Sequence, residues 1–352
     1  MLYQTQNPHG GDLYSRPVTV DFSANTNPLG TPEAVRQAVL DSVYRLNQYP
    51  DPYCRELVHA IAEFEQLPEE YILCGCGAAE LIFSYCTAIK AKRALELAPT
   101  FSEYSAALEA SGCLVERWGL RKESDFAVDE AFLHALEEGN WDAVFLCNPN
   151  NPTGRVIEGS LLLRIMEVCH QKGMRLFVDE CFLDLTDGGR EQSLKEHLKE
   201  WPGLFILKAF TKSYGMAGLR LGYCLSSDRE LLTAMGRSVQ PWNVSVPAQA
   251  AGVAALGETV FLEHTRQIIQ IERGWLVEQL TALGLYVCPS CANYLLLYSP
   301  KPLHKKLMER GIMIRNCSNY YGLEDGWCRI AVKRHGENQL LISALQELME
   351  EC

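Results

Sequence analysis

The chain has 352 residues, 47% of them hydrophobic and 22% charged, with a net charge of −12. That length suits one large and one smaller domain rather than a single small core. The acidic balance excludes general binding to nucleic acid or anionic membranes, although local basic pockets remain open to it.

No apolar run reaches the ~18 residues needed to span a bilayer. The opening "MLYQTQNPHGGDLYSRP" has neither the apolar stretch nor the basic flank of a signal peptide. A cytoplasmic location is expected. The fourteen cysteines fall mostly inside apolar segments such as "YILCGCG" and "AVFLCNP", where a free thiol behaves as a small hydrophobe. "CPSC", Cys288 to Cys291, is the one C-x-x-C, and no second pair completes a four-ligand zinc set. No metal is expected.

From about residue 50 to 240, short apolar segments alternate with helical periods. "YILCG", "RALELA", "CLVERW", "DAVFLCNP", "RLFVDE", "LFILKAF" and "RLGYCLS" read as strands; "AAELIFSYCTAI", "SEYSAALEASG" and "SLLLRIMEVCHQKG" read as helices. The alternation predicts an α/β fold with a mainly parallel sheet covered on both faces. Past residue 245 the pattern changes to a long helix, "FLEHTRQIIQIERGWLVEQLTAL", the strand "ANYLLLYS", then "HKKLMERG", "IMIRNC", "CRIAVK" and a terminal helix. The expected division is a large unit over residues 36–245, with a smaller α+β unit formed by residues 1–35 and 246–352.

In such sheets ligands bind beyond the carboxyl ends of the strands, and the chemistry-bearing residues fall there. In "LKAFTKSYGMAGLRLGY", Lys212 sits among small and aromatic residues. A lysine that forms an imine with an aldehyde must spend time uncharged, which a desolvated or cation-flanked pocket promotes. Arg220, with its fixed charge and fork of donors, suits a phosphate. Asp179 ends the strand "RLFVD", where a carboxylate can keep a ring nitrogen protonated. "NPNNPTG" is a strand-to-helix turn whose Asn151 can offer its amide to a phenolic oxygen. "GCGAAE" opens a helix, and its amides at Gly77, Ala78 and Ala79 favour phosphate. Taken singly, each feature also fits a turn, a cap or a buried stem.

The order and spacing of these features resemble the fold-type I pyridoxal-phosphate-dependent aminotransferase superfamily (class I/II) over nearly the whole chain. The resemblance implies the aspartate aminotransferase-like fold and pyridoxal 5'-phosphate as cofactor. It implies that Lys212 forms the imine with the cofactor, Asp179 pairs with the ring nitrogen and Asn151 binds the ring oxygen. Thr211, Arg220 and the amides at Ala78 and Ala79 go to the cofactor phosphate, and Phe101 of "PTFSEY" stacks on the ring. Tyr49 of "QYPD" reaches the phosphate from a partner subunit, which makes the protein a homodimer. Two positions depart from the pattern: Ala209, where relatives often carry a hydroxyl, and Phe182, where many transaminases place a tyrosine.

"HGGD", "VDFSANTNPLG", "QPWNVS", "ANYLLL" and "IRNCSNYYGL" look like the threonine-phosphate decarboxylases of cobalamin biosynthesis, cousins of the histidinol-phosphate aminotransferases. In that resemblance His9, Gly10, Asn25 and Arg315 surround the phosphate of a phosphorylated, amino-acid-like substrate, and Arg329 takes its carboxylate side. Decarboxylation of O-phosphothreonine or O-phosphoserine is the expected reaction. Transamination of histidinol phosphate or another amino acid with a 2-oxo acid is the alternative. A non-catalytic regulator on the same fold is a third reading.

Overall fold

The computed structural model describes residues 9–350. The ends of the expected smaller unit, residues 1–8 and 351–352, lie outside the described residues. In chain order the strands among the described residues are β1 (Val20–Asp21), β2 (Ile72–Gly75), β3 (Arg93–Ala98), β4 (Leu114–Gly119), β5 (Ala143–Cys147), β6 (Arg175–Asp179) and β7 (Leu204–Ala209). They continue as β8 (Gly222–Leu225), β9 (Tyr286–Val287), β10 (Tyr294–Tyr298), β11 (Ile312–Met313), β12 (Arg315–Asn316) and β13 (Trp327–Ala331).

Seven strands make the main sheet, in the order β2-β8-β7-β6-β5-β3-β4. The pairs β3/β4, β3/β5, β5/β6 and β6/β7 are parallel. This is the α/β architecture, with a mainly parallel sheet, that the alternating segments predict, and it agrees with the aspartate aminotransferase-like fold that the resemblance implies. β8 departs from the parallel pattern, running antiparallel to both β7 and β2. The reason lies in the connection from Phe210 to Leu221. A parallel return needs a crossover of a dozen or more residues, usually a full helix. Here the chain makes only the short helix Phe210–Ser213 and the 3-10 turn Ala217–Leu219. It therefore stays at the sheet's carboxyl edge and turns straight back, leaving Lys212 and Arg220 at that edge.

Strand alternation sends successive side chains to opposite faces. Phe177, Phe205, Leu207 and Ala209 enter one apolar cluster, with Leu81, Ile82 and Tyr85 of helix Gly77–Ile89. Val178, Leu204 and Ile206 enter the other, with Leu57 and Ile61 of helix Arg55–Glu65. Helix Val246–Leu256 contributes Ala248, Ala251 and Ala255 to that second cluster.

A third cluster fills the C-terminal part of the chain, including Leu295, Ile330 and Leu345, together with Phe22 from the N-terminal segment. β1 pairs in parallel with β11, which ties the start of the chain to this part. Helix Thr259–Ala282 is about 36 Å long at 1.5 Å per residue. Its Leu262 and Ile269 pack in a main-sheet core, and its Leu276 and Leu280 pack in the third cluster.

The segment "IMIRNC" reads as one strand but is divided at buried Ile314. β11 pairs with β1, while β12 joins the sheet β12-β13-β10-β9. The split arises because the chain passes from one partner strand to another. Its result is that Arg315 lies directly opposite Arg329 in the antiparallel β12/β13 pair.

Candidate active site

At the carboxyl ends of β5, β6 and β7 the chain encloses a cavity of about 380 Å3. Lys212, half-buried, projects into it from the helix Phe210–Ser213, with Thr211 beside it. Burial first, then the Arg329 and Arg220 charges, lower the lysine's pKa to about 8. Phe182 lines the same wall, 5.4 Å from the amine to the ring centroid, and packs edge-on against Tyr294.

Asp179 is buried at the end of β6. Its Oδ2 accepts the Tyr104 hydroxyl at 2.6 Å and its Oδ1 accepts the Cys181 N–H at 2.9 Å. Burial raises its pKa, opposed by those hydrogen bonds and by the Lys212 charge. Tyr104 belongs to helix Glu103–Ala110, and its ring lies edge-on to Phe101 at 5.6 Å. Asn151 is held from above: its Oδ1 accepts from Arg329 Nη1 and, at 3.4 Å, from the Tyr320 hydroxyl. Arg329 Nη2 donates to the Ser23 carbonyl at 2.9 Å.

The opposite end is an anion cradle. Ala78 and Ala79, in the first turn of helix Gly77–Ile89, line the cavity beside Thr211 and Arg220. Free amides and the positive end of the helix dipole both favour negative charge there. The backbone is shaped for this approach. At Gly77, φ is +81°, and a Cβ would stand 2.7 Å from Arg220 Nη2. At Gly222 a Cβ would stand 2.9 Å from the Ala78 nitrogen. Glu80 turns away from the cradle, accepting from the Cys76 N–H at 2.7 Å and from Asn243 Nδ2 at 2.5 Å.

His9, Gly10, Asn25, Arg315 and Arg329 close the cavity. His9 Nε2 meets Glu103 Oε1 at 2.9 Å, and that contact lowers the Glu103 carboxyl. Arg315 Nη2 donates to Asn319 Oδ1 at 2.8 Å. Asn25 is 1% exposed, and among the described residues neither its Oδ1 nor its Nδ2 has a hydrogen-bond partner; nor does Arg329 Nε.

Most of the residues singled out from the sequence thus line one cavity. Gly77 lies just beneath it, against Arg220. Tyr49 lies elsewhere: it is 78% exposed, stacks on Trp242 at 4.5 Å and lines a separate cleft. Ser23, Glu103, Tyr104, Cys147, Cys181 and Tyr320 also line the cavity and were not singled out. Tyr104 had a usable signal, since it follows Phe101 by three residues at a helix start. Cys147 and Cys181 look like ordinary buried thiols. In the C-x-x-C pair Cys288 is buried and Cys291 half-buried, with the Cys288 thiol 3.6 Å from the Asp125 carbonyl.

A depressed lysine, a buried carboxylate and an anion cradle at one sheet edge define an enzyme built around an aldehyde cofactor that carries a phosphate. The chain belongs to the aminotransferase class I and II family, whose pattern it matches over residues 17–345. A threonine-phosphate decarboxylase from Salmonella typhimurium is 36% identical, with 97% of this chain and 96% of that protein covered. A solved histidinol-phosphate aminotransferase from Clostridium acetobutylicum is 28% identical, with a TM-score of 0.87 over 95% of this chain and 100% of its own. Another, from Sinorhizobium meliloti and solved with pyridoxal-5'-phosphate, shares the fold at 22% identity and a TM-score of 0.85, over 96% of this chain and 92% of its own. The cofactor of this chain is pyridoxal 5'-phosphate. The donor set fits it: a cradle for a phosphate, a poised amine for an aldehyde and a buried carboxylate for a ring nitrogen.

Proposed function

We propose that this enzyme decarboxylates O-phospho-L-threonine, with O-phosphoserine as a variant substrate, to an amino-alcohol phosphate. One observation carries the reading. Two arginines, Arg315 and Arg329, are buried in direct register on neighbouring strands and face one cavity. Like charges opposite one another on a sheet are destabilising, so the pair is suited to a ligand bearing more than one anionic group. A phosphorylated amino acid supplies a phosphate and a carboxylate. The similarity to the Salmonella decarboxylase supports the same reading.

In this reading Ala78, Ala79, Thr211 and Arg220 hold the cofactor phosphate, and Gly77 leaves room for Arg220 to do so. Phe101 stacks on the ring, Asn151 binds its oxygen and Asp179 keeps its nitrogen protonated. When bound, the cofactor draws the electrons of a breaking Cα bond into its ring system. Lys212 would hold the cofactor through its aldehyde and would move a proton at the substrate's Cα. Arg329 takes the substrate carboxylate, while His9, Gly10, Asn25 and Arg315 take the phosphate and set the angle of the molecule. The Cα–carboxylate bond breaks, its electron pair stays on the Cα side, carbon dioxide leaves, and the Lys212 ammonium donates to Cα one proton that solvent replaces.

Transamination of histidinol phosphate is the second reading, favoured by the close match of fold to the Clostridium enzyme. The two differ in which bond at the substrate's Cα breaks, that to the carboxylate or that to hydrogen. A paired assay separates them: carbon dioxide release from O-phosphothreonine against glutamate formation from 2-oxoglutarate. Amino transfer that depends on the oxo acid, with no carbon dioxide, refutes the decarboxylase.

We further infer a cytoplasmic homodimer. The exposure of Tyr49, stacked on Trp242 and away from the cavity around Lys212, supports the dimer. Among the described residues no helix is long and apolar enough to cross a membrane.

A further inference from the structure

Across the sheet from the cavity lies a set of buried charges. Lys208, on β7 four residues before Lys212, is 1% exposed. Its Nζ is 3.3 Å from Glu180 Oε2 and 3.5 Å from Asp184 Oδ1. Glu180 also accepts the Ser193 hydroxyl at 2.7 Å and the Leu194 N–H at 3.1 Å.

Glu65, at the end of helix Arg55–Glu65, accepts the Tyr223 hydroxyl at 2.6 Å and pairs with Arg190 and Lys195, each at 3.0 Å. Three cations thus face three carboxylates. Burial opposes the charge on Glu65, but Lys208, Arg190, the Tyr223 hydroxyl and Lys195 hold it at about 2. Burial equally opposes the charge on Lys208, yet the carboxylates of Asp184, Glu65 and Glu180 raise its pKa.

Buried ion clusters of this kind add little stability over well-packed apolar side chains, so stability alone does not account for its placement. Its attachments do. Glu180 directly follows Asp179, and strand alternation turns the two to opposite sides. Asp184 Oδ2 accepts the hydroxyl of Ser213 at 3.2 Å, and Ser213 directly follows Lys212. One ammonium group, in ion-pair contact with Glu180 and Asp184 but hydrogen-bonded to neither among the described residues, therefore sits between the neighbours of Asp179 and Lys212.

We propose that Lys208 is a positioning residue that fixes the segments bearing Asp179 and Lys212 to one another and, by balancing the cluster's charge, keeps a net field off Lys212. This rests on the roles given above to Lys212 and Asp179. Those roles are tested separately by borohydride trapping of the cofactor on Lys212, which Lys212→Ala abolishes; failure of that trapping sinks the roles, not the arrangement of Lys208.

The test uses three variants of the holoenzyme and the pH titration of its visible absorbance. Burial raises the Glu180 carboxyl and Lys208 is the first charge to oppose it, so Lys208→Met leaves one excess negative charge at pH values where Glu180 is still ionised, Glu180→Gln leaves one excess positive charge, and the double variant leaves none. The absorbance midpoint rises in Lys208→Met and falls in Glu180→Gln, each by about half to one unit, and returns to the parental value in the double variant. Turnover in Lys208→Met falls about tenfold with KM within about twofold, and the double variant stays slow because the tie is still broken. Lys208→Arg restores both charge and turnover. Midpoints that stay fixed, or move in the same direction in both single variants, refute the proposal, as does full turnover in Lys208→Met. If Lys208→Met does not fold, Glu180→Gln against the double variant carries the same sign test.

Discussion

The depressed pKa of Lys212 gives a rate prediction that can be worked through. In the proposed role the amine must be neutral to attack the cofactor aldehyde. With its pKa at about 8, roughly a quarter of the amine is neutral at pH 7.5, against about one part in a thousand at the ordinary lysine value, a gain of ~200-fold. Because the pKa is lowered, the neutral form grows as pH rises through 8. Apoprotein mixed with pyridoxal phosphate and followed by visible absorbance should bind about tenfold faster per pH unit below 8 and level off above it. After burial, Arg329 is the largest contributor to the shift. Arg329→Leu should therefore move the break to higher pH, and Arg220→Leu should move it less. A break above pH 10 in the parent, or one that ignores Arg329→Leu, refutes the account of burial and charge.

Two further outcomes follow from neighbouring contacts. Tyr104→Phe removes the 2.6 Å hydrogen bond to Asp179, a bond to a charged group worth ~1.5–3 kcal/mol. The carboxyl pKa then rises further, so the acid limb of the kcat profile should move to higher pH, with kcat about tenfold lower at neutral pH. An unmoved limb contradicts a role for Tyr104 in holding the carboxylate. Ala209→Ser puts a hydroxyl on the cavity wall at the end of β7. It should tighten cofactor binding about three- to tenfold, the yield of one added hydrogen bond, as measured by the pyridoxal phosphate retained on dialysis.

Much of the site was legible because a parallel sheet gathers its functional residues at strand ends. Lys212 and Asp179 each follow a short apolar run, and the polar residue that closes such a run is conspicuous. Tyr104 was harder, because an aromatic three residues into a helix reads as core until a carboxylate is seen to accept its hydroxyl. Lys208 gave no signal at all: in "LFILKAF" it is one charge inside a strand, and its partners lie at residues 180 and 184. The reversed direction of β8 was equally hidden, since a strand's pattern carries its faces but not its direction. Tyr49 shows a different limit, because its neighbours in this chain include none of the residues around Lys212.

The register of β12 on β13 has a mechanical consequence. Arg315 and Arg329 are cross-strand partners, so the distance between their backbones is fixed by the hydrogen-bonded ladder, with Cβ atoms ~5 Å apart. Any tilt of the C-terminal sheet carries both guanidinium groups together, like the jaws of a locked caliper. In the proposed reading such a movement would alter how close the substrate comes to Lys212, while the spacing of the two backbones that carry its anion-holding arginines stays constant. In that reading, selection among substrates by length would rest on the spacing of the pair, and control of the reacting angle on how the pair and the other phosphate-holding residues are seated together.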